Sequence, residues 1–66
     1  MDPKFPSIAV ELSNTDGNAY MIMGAVLRAL RRAEVDEHTI TEFCTEATAG
    51  DYDHLLQTCS KWVNVE

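Results

Sequence analysis

The chain has 66 residues, 45% of them hydrophobic and 24% charged, with eleven acids against five bases for a net charge of −6. That size allows one domain with a thin stability margin, because so small a chain buries only about 60% of its unfolded surface. The composition excludes a disordered chain, and the charge argues against direct binding to phosphate backbones, which depends on lysine and arginine.

Residues 1–6 read as an irregular arm, since Pro3 and Pro6 forbid a helix. The segment SIAVELS then alternates, with Ile8, Val10 and Leu12 on one side and Ala9, Glu11 and Ser13 on the other. A period of two with β-branched residues predicts a half-buried strand over residues 8–12. The run NTDGN ends it in a turn that is tightest at Asp16-Gly17.

A first helix is expected over residues 18–33, capped by Asp16 or Asn18. Its core stripe is Ala19, Ile22, Met23, Val26, Ala29, Leu30 and Ala33, while Arg28, Arg31 and Arg32 crowd the end that suits cations. Opposite that stripe stand Met21, Gly24 and Ala25, so the first half is apolar all round. Such a helix is normally covered on both sides, and these three residues are the expected oligomer interface.

Asp36 caps a second helix with Glu37 in its first turn, and Ile40, Phe43, Cys44 and Ala47 recur at i, i+3, i+4 and i+7. Gly50 suits a left-handed residue closing that helix. Asp51 caps a third, whose stripe is Tyr52, Leu55, Leu56, Cys59, Trp62 and Val63. The final WVNVE alternates and reads as a short strand that can pair with the first. With no repeat or linker, the expectation is a single α+β domain, β-α-α-α-(β), over residues 1–66. Three helices would pack on a one- or two-stranded sheet whose open edges invite a second copy.

Cys44 and Cys59 lack a C-x-x-C or paired Cys/His spacing, and both fall on core stripes. No signal peptide opens the chain, and the charge-free apolar run over residues 19–27 is less than half of the roughly 20 residues a membrane helix needs. These features predict reduced thiols in a cytoplasmic protein without membrane contact.

The sharpest polar cluster is Asp51-x-Asp53-His54. In a first helical turn these side chains fan around the axis, whereas capping and dipole pairing account for both acids. His38 and Glu42 share a helix face and could hold two metal positions, with His54 as a third, in a metal-dependent enzyme. No H-E-x-x-H signature supports that reading, no G-x-S-x-G motif, glycine-rich phosphate loop or Cys-His pair in a recognisable context is present, and no cofactor is expected.

Arg28, Arg31 and Arg32 with Tyr20 could grip a nucleotide-like anion at a subunit interface, making the protein an oligomeric ligand sponge. Glu34 to Asp53 carries seven acids and no lysine or arginine, an acidic surface suited to a basic partner protein. Glu42, Glu46, Asp51 and Asp53 are its expected contacts. The second and third helices imitate a helix-turn-helix, but the reading helix would begin Asp51-Tyr52-Asp53 and repel phosphates, which argues against DNA.

TDGNAYMIMGAVLRALRRAEV, followed by ITEFCTEATAGDYDHLLQTCSKWVNVE, resembles a group of small acidic proteins of bacteria, prophages and phages. The shared features are the DGNA turn, the ALRRA helix end, the GDYDHLL start and the terminal WVNVE, covering most of the chain from Val10 onwards. The resemblance implies no activity or catalytic residues. It implies a mobile-element accessory protein, for which inhibiting or sequestering a host factor is a common kind of task. A non-enzymatic binding module is therefore the leading expectation.

Overall fold

A computed structural model describes residues 3–66. Its elements are β1 (Phe5–Val10), a 3₁₀ turn (Ser13–Thr15), α1 (Ala19–Arg32), α2 (Glu37–Ala47), α3 (Tyr52–Trp62) and β2 (Val63–Val65). The fold is α+β, with three helices forming one crossover between two parallel strands. Parallel strands cannot be joined by a tight turn, and the helices supply the necessary length.

β1 starts earlier than the alternation suggests, so Phe5 and Pro6 belong to the strand rather than to an irregular arm. Residues 1 and 2 of that arm lie outside the described residues. Proline is tolerated because β1 is an edge strand, where one row of amides needs no partner. Val10 pairs with Val65 and Ala9 with Asn64, while the register slips between Ala9 and Phe5, which pairs with Val63. The strand ends at Val10, though the Leu12 N–H still reaches the Glu66 carbonyl at 3.4 Å.

The Thr15 hydroxyl donates to the Leu12 carbonyl (2.6 Å), and Asp16 and Gly17 are both left-handed, with φ of 53° and 71°. Asn18 then caps α1 by accepting from the Tyr20 and Met21 amides at 2.9 and 3.3 Å. Ile22, Val26 and Leu30 are buried along one helical stripe; Ala19 and Ala33, at its ends, are exposed. The close of α1 holds a surprise. Val35 N–H bonds back to Leu30 and Glu34 N–H to Arg31, each at 3.0 Å, around a left-handed Glu34 with φ of 63°. This is the Schellman arrangement, ordinarily built on glycine, and the apolar contact of Val35 with the core accompanies it.

Asp36 caps α2 by accepting from the Thr39 hydroxyl (2.7 Å) and amide (3.1 Å), and these bonds, the hydroxyl's first, hold its carboxyl below the usual aspartate range. Ile40, Phe43 and Ala47 are buried and Cys44 is half-buried. Gly50 does not adopt the left-handed conformation expected for it; Gly17 is the one glycine with positive φ among the described residues. The helix closes instead through Thr48 and Ala49 amides bonded to Cys44 and Glu46. Gly50 is needed for space, since a Cβ there would lie 2.8 Å from the His54 Cβ.

Asp51 caps α3 through the His54 amide at 2.9 Å. Leu55, Thr58, Cys59 and Trp62 face inward, with the Thr58 hydroxyl satisfied by the His54 carbonyl at 2.8 Å. Tyr52, expected in this stripe, is exposed. Trp62 packs edge-on against Phe43 (centroids 5.4 Å apart) and tilted against Phe5 (6.0 Å), with the Lys4 ammonium 4.4 Å from its ring centre. Among the described residues, no helix is long and apolar enough to cross a membrane.

A non-glycine residue held left-handed costs roughly 1–2 kcal/mol, partly offset in a glycine variant by the freer unfolded chain. Glu34→Gly should therefore raise stability by about 0.5–1 kcal/mol, measured as a higher midpoint in urea. An unchanged or lower midpoint would contradict the assigned conformation.

Candidate functional site

Among the described residues, three concave surfaces stand out. The first is a groove of about 400 Å³ between α1 and β1, with Met21, Ala25, Arg28 and Arg32 on the helix wall and Ala9 and Glu11 on the strand wall. The second is a cleft of about 290 Å³ where α1 meets the α2–α3 connection, flanked by Tyr20 and Tyr52 with Met23 and Leu55 inside and Asp51 at the rim. The third is a shallow hollow along the outer face of α2, holding His38, Glu42, Glu46 and Trp62.

The three arginines do not converge as the sponge reading requires. Arg28 and Arg32 share the α1–β1 groove, whereas Arg31 points away and approaches Glu37 at 3.7 Å. Tyr20 borders the other cleft and is 89% exposed. The apolar residues opposite the core stripe, Met21, Gly24 and Ala25, are also divided. Met21 (48% exposed) and Ala25 line the groove with the arginines, Ala25 packing partly onto the core. Gly24 faces open space, with nothing within 4 Å of where a Cβ would stand.

The acidic contacts separate by role. Glu46 turns its carboxylate inward and accepts from the Trp62 indole N–H at 2.8 Å, making it a structural anchor. Asp51 is occupied as a helix cap, while Glu42 meets His38 at 3.2 Å on the surface. Asp53, in the first turn of α3, is exposed. The residues of Asp51-x-Asp53-His54 have separate local roles. Asp51 starts a helix, and His54 reaches back through Nε2 to the Glu46 carbonyl at 2.7 Å.

His38, Glu42 and His54 are accordingly not gathered at one point. Among the described residues, no three His, Cys, Asp or Glu side chains converge as metal ligands. Both cysteines are free thiols. Burial pushes the Cys59 thiol up from 9.0 to about 11, because a thiolate there would lose its hydration. The folded state therefore favours the neutral thiol. Its contribution to stability is complete below pH 9.0 and is lost as pH rises towards about 11.

Two features of these surfaces depend on tertiary packing. The spacing of Tyr52 matches the core stripe, but its polar-tipped ring at the helix start stays exposed. Alternation turns Glu11 outward, but its position beside Arg28 and Arg32 depends on where α1 lies. No family model, curated protein or solved structure matches the chain.

Glu46→Ala should destabilise the fold by about 1–3 kcal/mol by leaving a buried indole N–H unpaired, visible in the urea midpoint and in altered Trp62 emission. A silent substitution would return Glu46 to the list of surface acids. At about pH 8, a disulfide reagent should label Cys44 in the native protein, and Cys59 only at the rate of global unfolding. Equal labelling rates would contradict the burial of Cys59.

Proposed function

We propose that the protein is a non-catalytic binding module that docks on a partner protein of basic surface. The contact is centred on the cleft between Tyr20 and Tyr52. One observation carries this reading: two tyrosines 32 positions apart in the chain flank the same largely apolar cleft, both exposed, with Asp51 at its rim. Exposed large aromatics around a concave apolar floor have the make-up of an interaction hot spot. Tyrosine suits such a site because its ring buries much area while its hydroxyl finds a polar partner.

Charge selects the partner. The net charge of −6 draws positively charged surfaces by long-range attraction, and Asp51 places a carboxylate at the cleft rim, with Asp53 exposed two residues further along the chain. An apolar side chain flanked by lysine or arginine would fill the cleft and meet those acids. Occupying such a surface on a host factor is a direct means of inhibition or sequestration. That agrees with the mobile-element context implied by the resemblance to small acidic bacterial and phage proteins. The setting we propose is the cytoplasm, where Cys44 and Cys59 would stay reduced.

The test is affinity capture from a bacterial lysate, comparing the wild type with Tyr20→Ala/Tyr52→Ala and with Asp51→Asn/Asp53→Asn. Asparagine preserves the helix cap while removing the charge. The expected result is a basic protein retained by the wild type, with recovery at least about tenfold lower for the tyrosine variant. The asparagine variant should bind more weakly and lose the salt dependence. Equal retention by the tyrosine variant, or no retained protein at all, overturns the reading.

A further inference from the structure

β1 has two hydrogen-bonding edges, and β2 uses one. Glu66 N–H donates to the Val10 carbonyl at 2.9 Å and Leu12 N–H to the Glu66 carbonyl at 3.4 Å, so Val10 and Leu12 turn their backbone groups towards β2. Alternation then turns those of Ala9 and Glu11 to the opposite edge. Among the described residues, no strand pairs there. An open row of amides and carbonyls is a template for another strand.

That open edge forms one wall of the groove described above. The other wall is a single stripe of α1, with Met21, Ala25, Arg28 and Arg32 at i, i+4, i+7 and i+11. Arg28 and Arg32 are exposed, and among the described residues neither forms an ion pair, although the chain carries eleven acids. The groove therefore offers an extended backbone a strand to pair with and offers a carboxylate two guanidinium groups.

We propose that the occupant is the same edge of a second copy. The two β1 strands would run antiparallel about a twofold axis, giving a four-stranded sheet in the order β2-β1-β1-β2. Ala9 and Glu11 are the residues whose backbone groups face outward, so each Glu11 comes opposite the partner's Ala9 and exchanges hydrogen bonds with it. Ala9 presents only a methyl group, leaving space for the carboxylate of Glu11 beside Arg28 and Arg32 of the facing copy. The interface is self-complementary, since the same edge gives Glu11 and receives it. The groove's own Glu11 sets one carboxylate against two guanidinium groups, so an acidic occupant completes the balance of charge whereas a basic one would be repelled. Met21 and Ala25 are covered by the same event. The tyrosine cleft lies on other residues and stays open in the dimer.

Light scattering across a concentration series reads the assembly, and amide hydrogen exchange reads the edge. The wild type should form dimers in which the Ala9 and Glu11 amides are protected. Arg28→Glu/Arg32→Glu and Glu11→Arg should each weaken the dimer at least about tenfold, because like charges then face one another. Combining the three substitutions should restore it. All of these positions are exposed or at a groove rim, so circular dichroism should show each variant folded. If the combined variant fails to fold, the two partial variants and the exchange data still decide. A monomer throughout the range overturns the proposal, as does a dimer whose Ala9 and Glu11 amides exchange freely or one indifferent to the charge reversals. Tyr20→Ala/Tyr52→Ala should dimerise normally, which separates this interface from the docking cleft.

Discussion

The fold depends on Trp62 more than on any other side chain. It stands at the junction of α3 and β2, meets Phe43 of α2 and Phe5 of β1, and is only 4% exposed. Its indole N–H is held by Glu46 at 2.8 Å, so the one polar atom of the ring is satisfied by a charged acceptor. Through a single residue, four elements are tied together. In a chain of this size that concentration matters, because the core contains few large side chains: Phe43, Ile22, Leu30 and Ile40 are the bulkiest that are fully buried.

Anchoring Trp62 also determines the sheet. Val63 follows it directly, so the inward turn of the indole aims the last residues along β1. Two parallel strands alone would be unstable in water. Here the helices cover one side, with Val10 and Val63 buried, and the strand pairing closes the chain onto its own beginning. The cost of such economy is edges. One of them lies beside α1, where the outward-facing backbone groups of Ala9 and Glu11 meet no further strand among the described residues.

The charge distribution follows the same division. Acids cap α2 and α3 through Asp36 and Asp51, in keeping with the partial positive charge of helix N-termini. Cations gather at the end of α1. Arg31 finds Glu37, which leaves Arg28 and Arg32 on the groove. Dipole complementarity explains why arginines occur there, while the position of β1 explains why two of them share a cavity with Glu11. The tyrosine cleft arises differently, from the approach of the start of α1 to the start of α3.

Local physics made most of the secondary structure legible. Alternation, helical periodicity and short polar caps involve neighbours within four residues, so Asp36 and Asp51 could be recognised as helix starts without knowing the fold, and Asn18 as one of two candidates with Asp16. Contacts between distant residues were not legible. Glu46 meets Trp62 sixteen positions away, Glu34 is forced left-handed by the burial of Val35, and Gly50 is kept small by His54. Periodicity likewise put Tyr52 on an inward stripe, whereas packing left it exposed beside Tyr20. The order of residues determined by itself which segments are helix or strand and where the helices start, because those choices rest on short-range backbone hydrogen bonds. Tertiary structure alone decided that the strands run parallel, that Glu46 faces inward, and that Arg28 and Arg32 separate from Arg31. Those outcomes depend on which surfaces meet when the core excludes water.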